Sequence, residues 1–164
     1  MLTLSQLLRV PHVDSTLRFD ISPDGQRLVF AWNKTGRWEL YEILLDEEHA
    51  SDSPQLVSQK EGSKFSPIHS PDGTMLAYAL DLDGSESYHI FVHDLSTHIS
   101  TDLTPQIAYA HQPNITWSPD GKVLAVLSDK HGQFALHLIH LDGTPGRMIK
   151  NVFHPCWDAK WSPD

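Results

Sequence analysis

The tetrapeptide Ser-Pro-Asp-Gly occurs at residues 22–25, 70–73 and 118–121, and the chain ends on its first three letters at Ser162, Pro163 and Asp164. The serines are spaced by 48, 48 and 44 residues. Periods of this length belong to propellers, solenoids or helical arrays, and no other feature of the chain restricts its fold so strongly. The register extends well past the turn. Leu28, Leu76 and Leu124 follow at one offset, Phe30, Tyr78 and Val126 at another, and Asn33, Asp81 and Asp129 at a third. Gly36, Gly84 and Gly132 come next, then Ile43, Phe91 and Ile139, then Asp46, Asp94 and Asp142, with no gap in between.

Each unit has a physical reading. Proline presets φ for the second position of a type I turn, Ser and Asp side chains bond the local backbone, and Gly takes the left-handed position that lets a strand return. Ser-Pro-Asp-Gly is therefore expected to join a first strand to a second. The second strand reads RLVFAW, MLAYAL or VLAVLS. It is apolar at successive positions and so is expected to be buried on both faces. A third strand follows the Gly36, Gly84 or Gly132 turn as LYEILL, YHIFVH or LHLIHL, and a more polar fourth as PQLVSQ, HISTDL or GRMIK. Four short strands per period make the blade of an all-β propeller; the segments are too short and too β-branched for helix pairs. The expected organisation is an N-terminal helix and linker over 1–14, blades over 15–62, 63–110 and 111–155, and the first strand of an incomplete fourth blade over 156–164. Ile21, His69, Trp117 and Trp161 precede the four turn serines. The two tryptophans are expected to cover the hairpin and pack between blades.

Residues 1–14 depart from the period. Thr3 and Gln6 have capping-box spacing, Leu4, Leu7 and Leu8 form a stripe, and Pro11 would stop a short amphipathic helix. The segment lacks a basic start, a sustained apolar run and a small-residue cleavage site, so it does not read as a secretory signal. No stretch reaches the roughly 18 apolar residues of a membrane span. Net charge is −9, with 12 basic and 21 acidic residues and no run of Lys or Arg. That balance argues against a nucleic-acid surface and against a polybasic membrane patch. The single cysteine, Cys156, excludes an intrachain disulfide framework, and a cytoplasmic location is expected.

Three constellations invite chemistry, and each has a simpler account. His89 and His93 share a strand face with Phe91 between them, about 13 Å apart at a rise near 3.3 Å per residue, which is too far to share one ion. His137 and His140 point to opposite faces. Asp81 to Ser87, DLDGSES, resembles the start of a calcium loop but lacks the later bidentate Glu, and its register equates it with the turns at Asn33 and Asp129. Cys156 precedes Trp157 in an expected inner strand, where thiols are inert. There is no G-x-S-x-G, H-E-x-x-H, phosphate loop or C-x-x-C. No catalytic, metal-binding or cofactor-binding residue is assigned.

The run Leu4, Leu7, Leu8, Val10 and Pro11, then Ser22 to Gly25 followed by RLVF, resembles the start of the prolyl oligopeptidase family of serine peptidases, especially the acylaminoacyl-peptidase branch. The Ser-Pro-Asp-Gly units are similar to the propeller repeats that this family shares with TolB-like proteins. The resemblance implies a propeller that limits access of short peptides to a C-terminal α/β-hydrolase domain bearing a Ser, Asp and His triad. None of the triad lies in these residues, and no acidic substrate-amine motif of the dipeptidyl-peptidase IV kind is present. The alternative is a TolB-like or free-standing propeller that acts as a non-catalytic interaction module.

A ring needs roughly four to eight blades, so three are expected to leave their end faces, and a strand from Cys156 to Trp161, without neighbours. Purified chain should therefore self-associate in light scattering. A monodisperse monomer whose terminal blades are fully protected in hydrogen exchange would contradict this.

Overall fold

A computed structural model describes residues 19–45, 53–57, 60–105, 109–144, 146–151, 156 and 158–162. Twelve strands form three four-stranded antiparallel sheets, each in sequence order. Blade 1 contains β1 (Phe19–Ile21), β2 (Arg27–Trp32), β3 (Glu39–Leu44) and β4 (Gln55–Leu56). Blade 2 contains β5 (Ser63–His69), β6 (Met75–Asp81), β7 (His89–Asp94) and β8 (Ile99–Asp102). Blade 3 contains β9 (His111–Trp117), β10 (Val123–Ser128), β11 (Ala135–His140) and β12 (Arg147–Asn151). These are propeller blades. The second strands match RLVFAW, MLAYAL and VLAVLS, and the third strands begin one residue from the expected start.

The repeated turn is built as its chemistry requires. Gly25 N–H donates to the Ser22 carbonyl at 2.8 Å, and Gly25 has φ 74°. The Ser22 hydroxyl donates to Asp24 Oδ1 at 2.5 Å while accepting the Arg27 N–H at 2.9 Å. The same pair of bonds recurs at Ser70, from its hydroxyl to Asp72 and from Met75 N–H, and at Ser118, to Asp120 and from Val123 N–H. One hydroxyl thus ties the turn carboxylate to the first residue of the second strand. A positive φ at the fourth position leaves little choice but glycine.

Strand β6 shows why blades associate. Leu76, Tyr78 and Leu80 pack with Val29, Ala31 and Leu40 of blade 1, while Ala77 and Ala79 pack with Ile115, Trp117, Leu124 and Val126 of blade 3. Side chains alternate across a strand, so a continuously apolar strand has two faces to bury and needs two neighbours. All six residues from Leu76 to Asp81 are buried.

The seam between blades 1 and 2 also holds a buried ion pair. Lys64 on β5 is fully buried and bonds Glu39 Oε2 on β3, along with the carbonyls of Lys60 and Gly62. Arg37 completes the set, with Nη2 at 2.6 Å from Glu39 Oε1. Burial lowers the Lys64 pKa, and the Glu39 carboxylate opposes that shift. Gly62, at φ 100°, lets the loop close over this pair: a Cβ there would stand 2.6 Å from the Asp81 carbonyl oxygen.

Two expected elements are not seen. The N-terminal helix falls within 1–18, outside the described residues. Among the described residues of 156–162 no strand is assigned, because a first strand is defined by its ladder to a second and these residues have none.

Glu39→Ala would leave Lys64 buried without its countercharge and is expected to cost about 3–5 kcal/mol by urea denaturation. Pairing it with Lys64→Met should recover most of that loss. A single-variant cost within 0.5 kcal/mol of zero would show that the pair does not hold the seam.

Candidate functional site

Consecutive turns abut. A Cβ on Gly73 would meet Pro23 Cδ at 3.4 Å, and one on Gly121 would meet Pro71 Cδ at 3.5 Å. The first strands follow the same order, β1 against β5 and β5 against β9. The turns therefore form a collar carrying Asp24, Asp72 and Asp120. The hydroxyls of Ser22, Ser70 and Ser118 are the main cause holding these carboxyls below the usual range, aided by the N–H groups of Gln26, Thr74 and Lys122. Like charges tolerate the repetition because each is bonded within its own turn.

A second regularity lies beneath the collar. The residue before each turn serine reaches back to the previous blade, two residues ahead of that blade's serine. Trp117 Nε1 donates to the Ile68 carbonyl at 3.1 Å, and Trp161 Nε1 to the Thr116 carbonyl at 3.4 Å. At the first seam, His69 Nδ1 lies 2.9 Å from Asp20 Oδ2, which also accepts the His69 N–H at 2.7 Å. Trp117 thus packs between blades as expected, and His69 does the same work with a side-chain acceptor.

A cleft of about 410 Å³ lies between blades 2 and 3. Its walls include Asp102 and Thr104 beside β8, Tyr109 and His111 at the start of β9, Lys130 from the β10–β11 turn, and His137 and His140 on β11. A second hollow of about 270 Å³ lies along the same seam, between Ile99 and Leu141.

The histidines are placed by their strands. His89 and His93, both buried on β7, are anchored through Nδ1 to residues of β8: His89 to Asp102 Oδ2 at 2.8 Å, His93 to Ser100 Oγ at 2.9 Å. Burial is the main cause lowering the His93 and His137 pKa values. His111 bonds the Tyr88 carbonyl across the seam at 3.1 Å, and its pKa falls to about 4, mainly by burial, with His137 and His89 adding repulsion. His131 stacks on His137 with ring centroids 5.4 Å apart. No group of three or more His, Cys, Asp or Glu is arranged to hold a metal ion among the described residues.

The acidic segment Asp81–Ser87 is consumed by its own turn. Asp81 accepts the N–H groups of Asp83, Gly84 and Glu86, and Asp83 accepts that of Ser85. Cys156 is half-buried, with Sγ 3.3 Å from the Asp158 carbonyl oxygen. The residue that reasoning from strands alone passed over is His111. By strand pairing His137 takes the blade position of Tyr41 and Phe91, opposite Val126, Phe30 and Tyr78, and the 48-residue count that equates it with His89 is offset by two residues because the turn between β6 and β7 is longer.

The family described as prolyl oligopeptidase, N-terminal beta-propeller domain, matches residues 25–133. An uncharacterized peptidase of Bacillus subtilis, YuxL, is 32% identical over 103 residues, 60% of this chain and 15% of that protein. A TolB homolog of Chlorobaculum tepidum is 29% identical over 125 residues, 76% of this chain and 27% of that protein. The chain thus spans about a quarter or less of the curated relatives it matches. Among solved structures, a TolB from Agrobacterium tumefaciens superposes with a TM-score of 0.68 at 22% identity, over 80% of this chain and 45% of that one. A puromycin-hydrolyzing peptidase of Mycobacterium tuberculosis gives 0.68 at 16% identity, over 85% and 24%. At these identities the superpositions establish the fold.

Trp117→Phe removes the donor to the Ile68 carbonyl inside a buried seam and is expected to cost about 1–3 kcal/mol in urea denaturation. Trp161→Phe, at a half-exposed position, should change stability by less than about 0.5 kcal/mol. Equal effects at the two sites would contradict the seam's role.

Proposed function

This chain belongs to the prolyl oligopeptidase N-terminal β-propeller family, and on that premise we propose that it serves as the access-limiting propeller of a serine peptidase whose catalytic α/β-hydrolase domain lies outside these residues. The family match over 25–133 carries the reading, and the resemblance of Leu4 to Pro11 to the start of such peptidases adds to it. Stacked blades suit the task. Their turns are cross-bonded, the second strand of the middle blade is covered on both faces, and the first strands line up one behind another. Such a wall excludes folded proteins while leaving an axial path for short peptides. The hydrolase domain is then the principal partner, short peptides are the substrates, and the compartment is the cytoplasm, which a chain with a lone cysteine suits. A TolB-like interaction module is the second reading, supported by the match to the Chlorobaculum tepidum TolB homolog.

Two measurements separate these. The reading frame past Asp164 is expected to encode further blades and then a G-x-S-x-G motif; a stop after the last blade would favour the interaction module. The chain by itself should leave acyl-peptide and peptidyl chromogenic substrates intact and take up no serine-directed fluorophosphonate. Turnover that is lost when the probe labels this chain would overturn the assignment of chemistry to a separate domain.

A further inference from the structure

We propose that the seam between blades 2 and 3 is an acid-sensitive latch, in which His111 and His137 hold the blades together only while neutral. The argument starts from tautomers. His111 Nδ1 meets the Tyr88 carbonyl oxygen, which can only accept, so in the neutral ring Nδ1 carries the proton; a charged ring would keep that bond, and it is burial of the ring in the seam that disfavours the second proton. His137 sits on β11 directly opposite Val126, in the packed face that blade 3 turns to blade 2, and its Nε2 is buried with no hydrogen-bond partner. A proton added at that nitrogen would be a buried, charged donor with nothing to accept it.

The surroundings sharpen the effect. Around His111 stand His137 and His89, and a second proton on either neighbour would repel the first. His131 stacks on His137, and the ammonium of Lys130 lies 5.2 Å from the Tyr109 ring beside His111. The available negative charges are already engaged. Asp102 binds His89 and the Thr104 N–H, and Asp129 accepts the Ala110 N–H at 2.6 Å. Asp129 and the Tyr88 carbonyl favour a charged His111 but are outweighed by its burial, and His137 Nε2 has no acceptor at all, so proton uptake is coupled to parting of the blades.

The sign follows from linkage. Burial lowers the pKa of His111 from 6.5 to about 4, and that of His137 in the same direction. The open state therefore binds protons that the closed state refuses. Closure is complete above about pH 6.5 and is lost as pH falls from there toward 4, by up to roughly 300-fold for His111 alone. The turn carboxylates also have lowered pKa values, but they start from 3.8 and act below this window.

Hydrogen exchange of the full chain, corrected for intrinsic rates, should show β9 and β11 amides losing protection between pH 7 and 4.5 while those of β2 and β3 hold. His111→Gln keeps a donor for the Tyr88 carbonyl without a titrating ring and should flatten the loss; an undiminished pH slope in that variant would overturn the proposal. A ring-proton NMR titration of the unaltered chain gives an independent reading should the variant fail to fold. A His111 midpoint near 4 supports the latch, and one near 6.5 overturns it.

Discussion

The strand that follows each Ser-Pro-Asp-Gly turn is apolar at consecutive positions, and the rest of the architecture answers to it. Such a strand has no face to offer water. Tyr78 and Ala79 are adjacent in sequence, yet one packs toward blade 1 and the other toward blade 3. Tyr78 also stacks on Phe91 with centroids 5.6 Å apart, which extends the contact across the sheet. At about 25 cal/mol per Å² of apolar surface, covering both faces outweighs anything a single four-stranded sheet gains alone, so the stable unit is the stack.

Within that frame the two seams are chemically unlike. Between blades 1 and 2 the joint holds a buried ion pair, Lys64 on Glu39, and a hydrogen bond between Asp20 and His69. Between blades 2 and 3 it is apolar at its centre, with an indole bonded to a carbonyl and neutral imidazoles along one side. The repeat fixes where a seam residue stands and leaves open what it is. Salt and desolvation govern the first joint, and protons govern the second.

Strands, turns and blade order were legible in the residues because each depends on local periodicity and on turn chemistry at fixed offsets. Leu28, Leu76 and Leu124 announce a strand wherever the blade goes. The seam chemistry was less legible. The alternation in YHIFVH assigns His89 and His93 to one face, but their anchors, Asp102 and Ser100, sit on a strand that pairs with theirs in a register the residues do not spell out. His111 was harder still, since its partner is a backbone carbonyl of another blade. Register equates the acidic run from Asp81 with the turns at Asn33 and Asp129, and the Asp81 and Asp83 carboxylates accept the turn's own N–H groups.

The reach of Trp117 to the carbonyl of Ile68 has an implication for how such molecules assemble. Each blade offers an acceptor on one side and a donor on the other, so the joint is heterologous and directional. Head-to-tail joints close into rings only when the rotation per unit divides a full turn; otherwise they spiral. Neighbouring units also meet where Pro23 faces Gly73 and Pro71 faces Gly121. A side chain at either glycine, at φ 72° or 70°, would strain its own turn while adding only ordinary contact with the facing proline, so the residue that returns the strand is also the one that keeps the joint close.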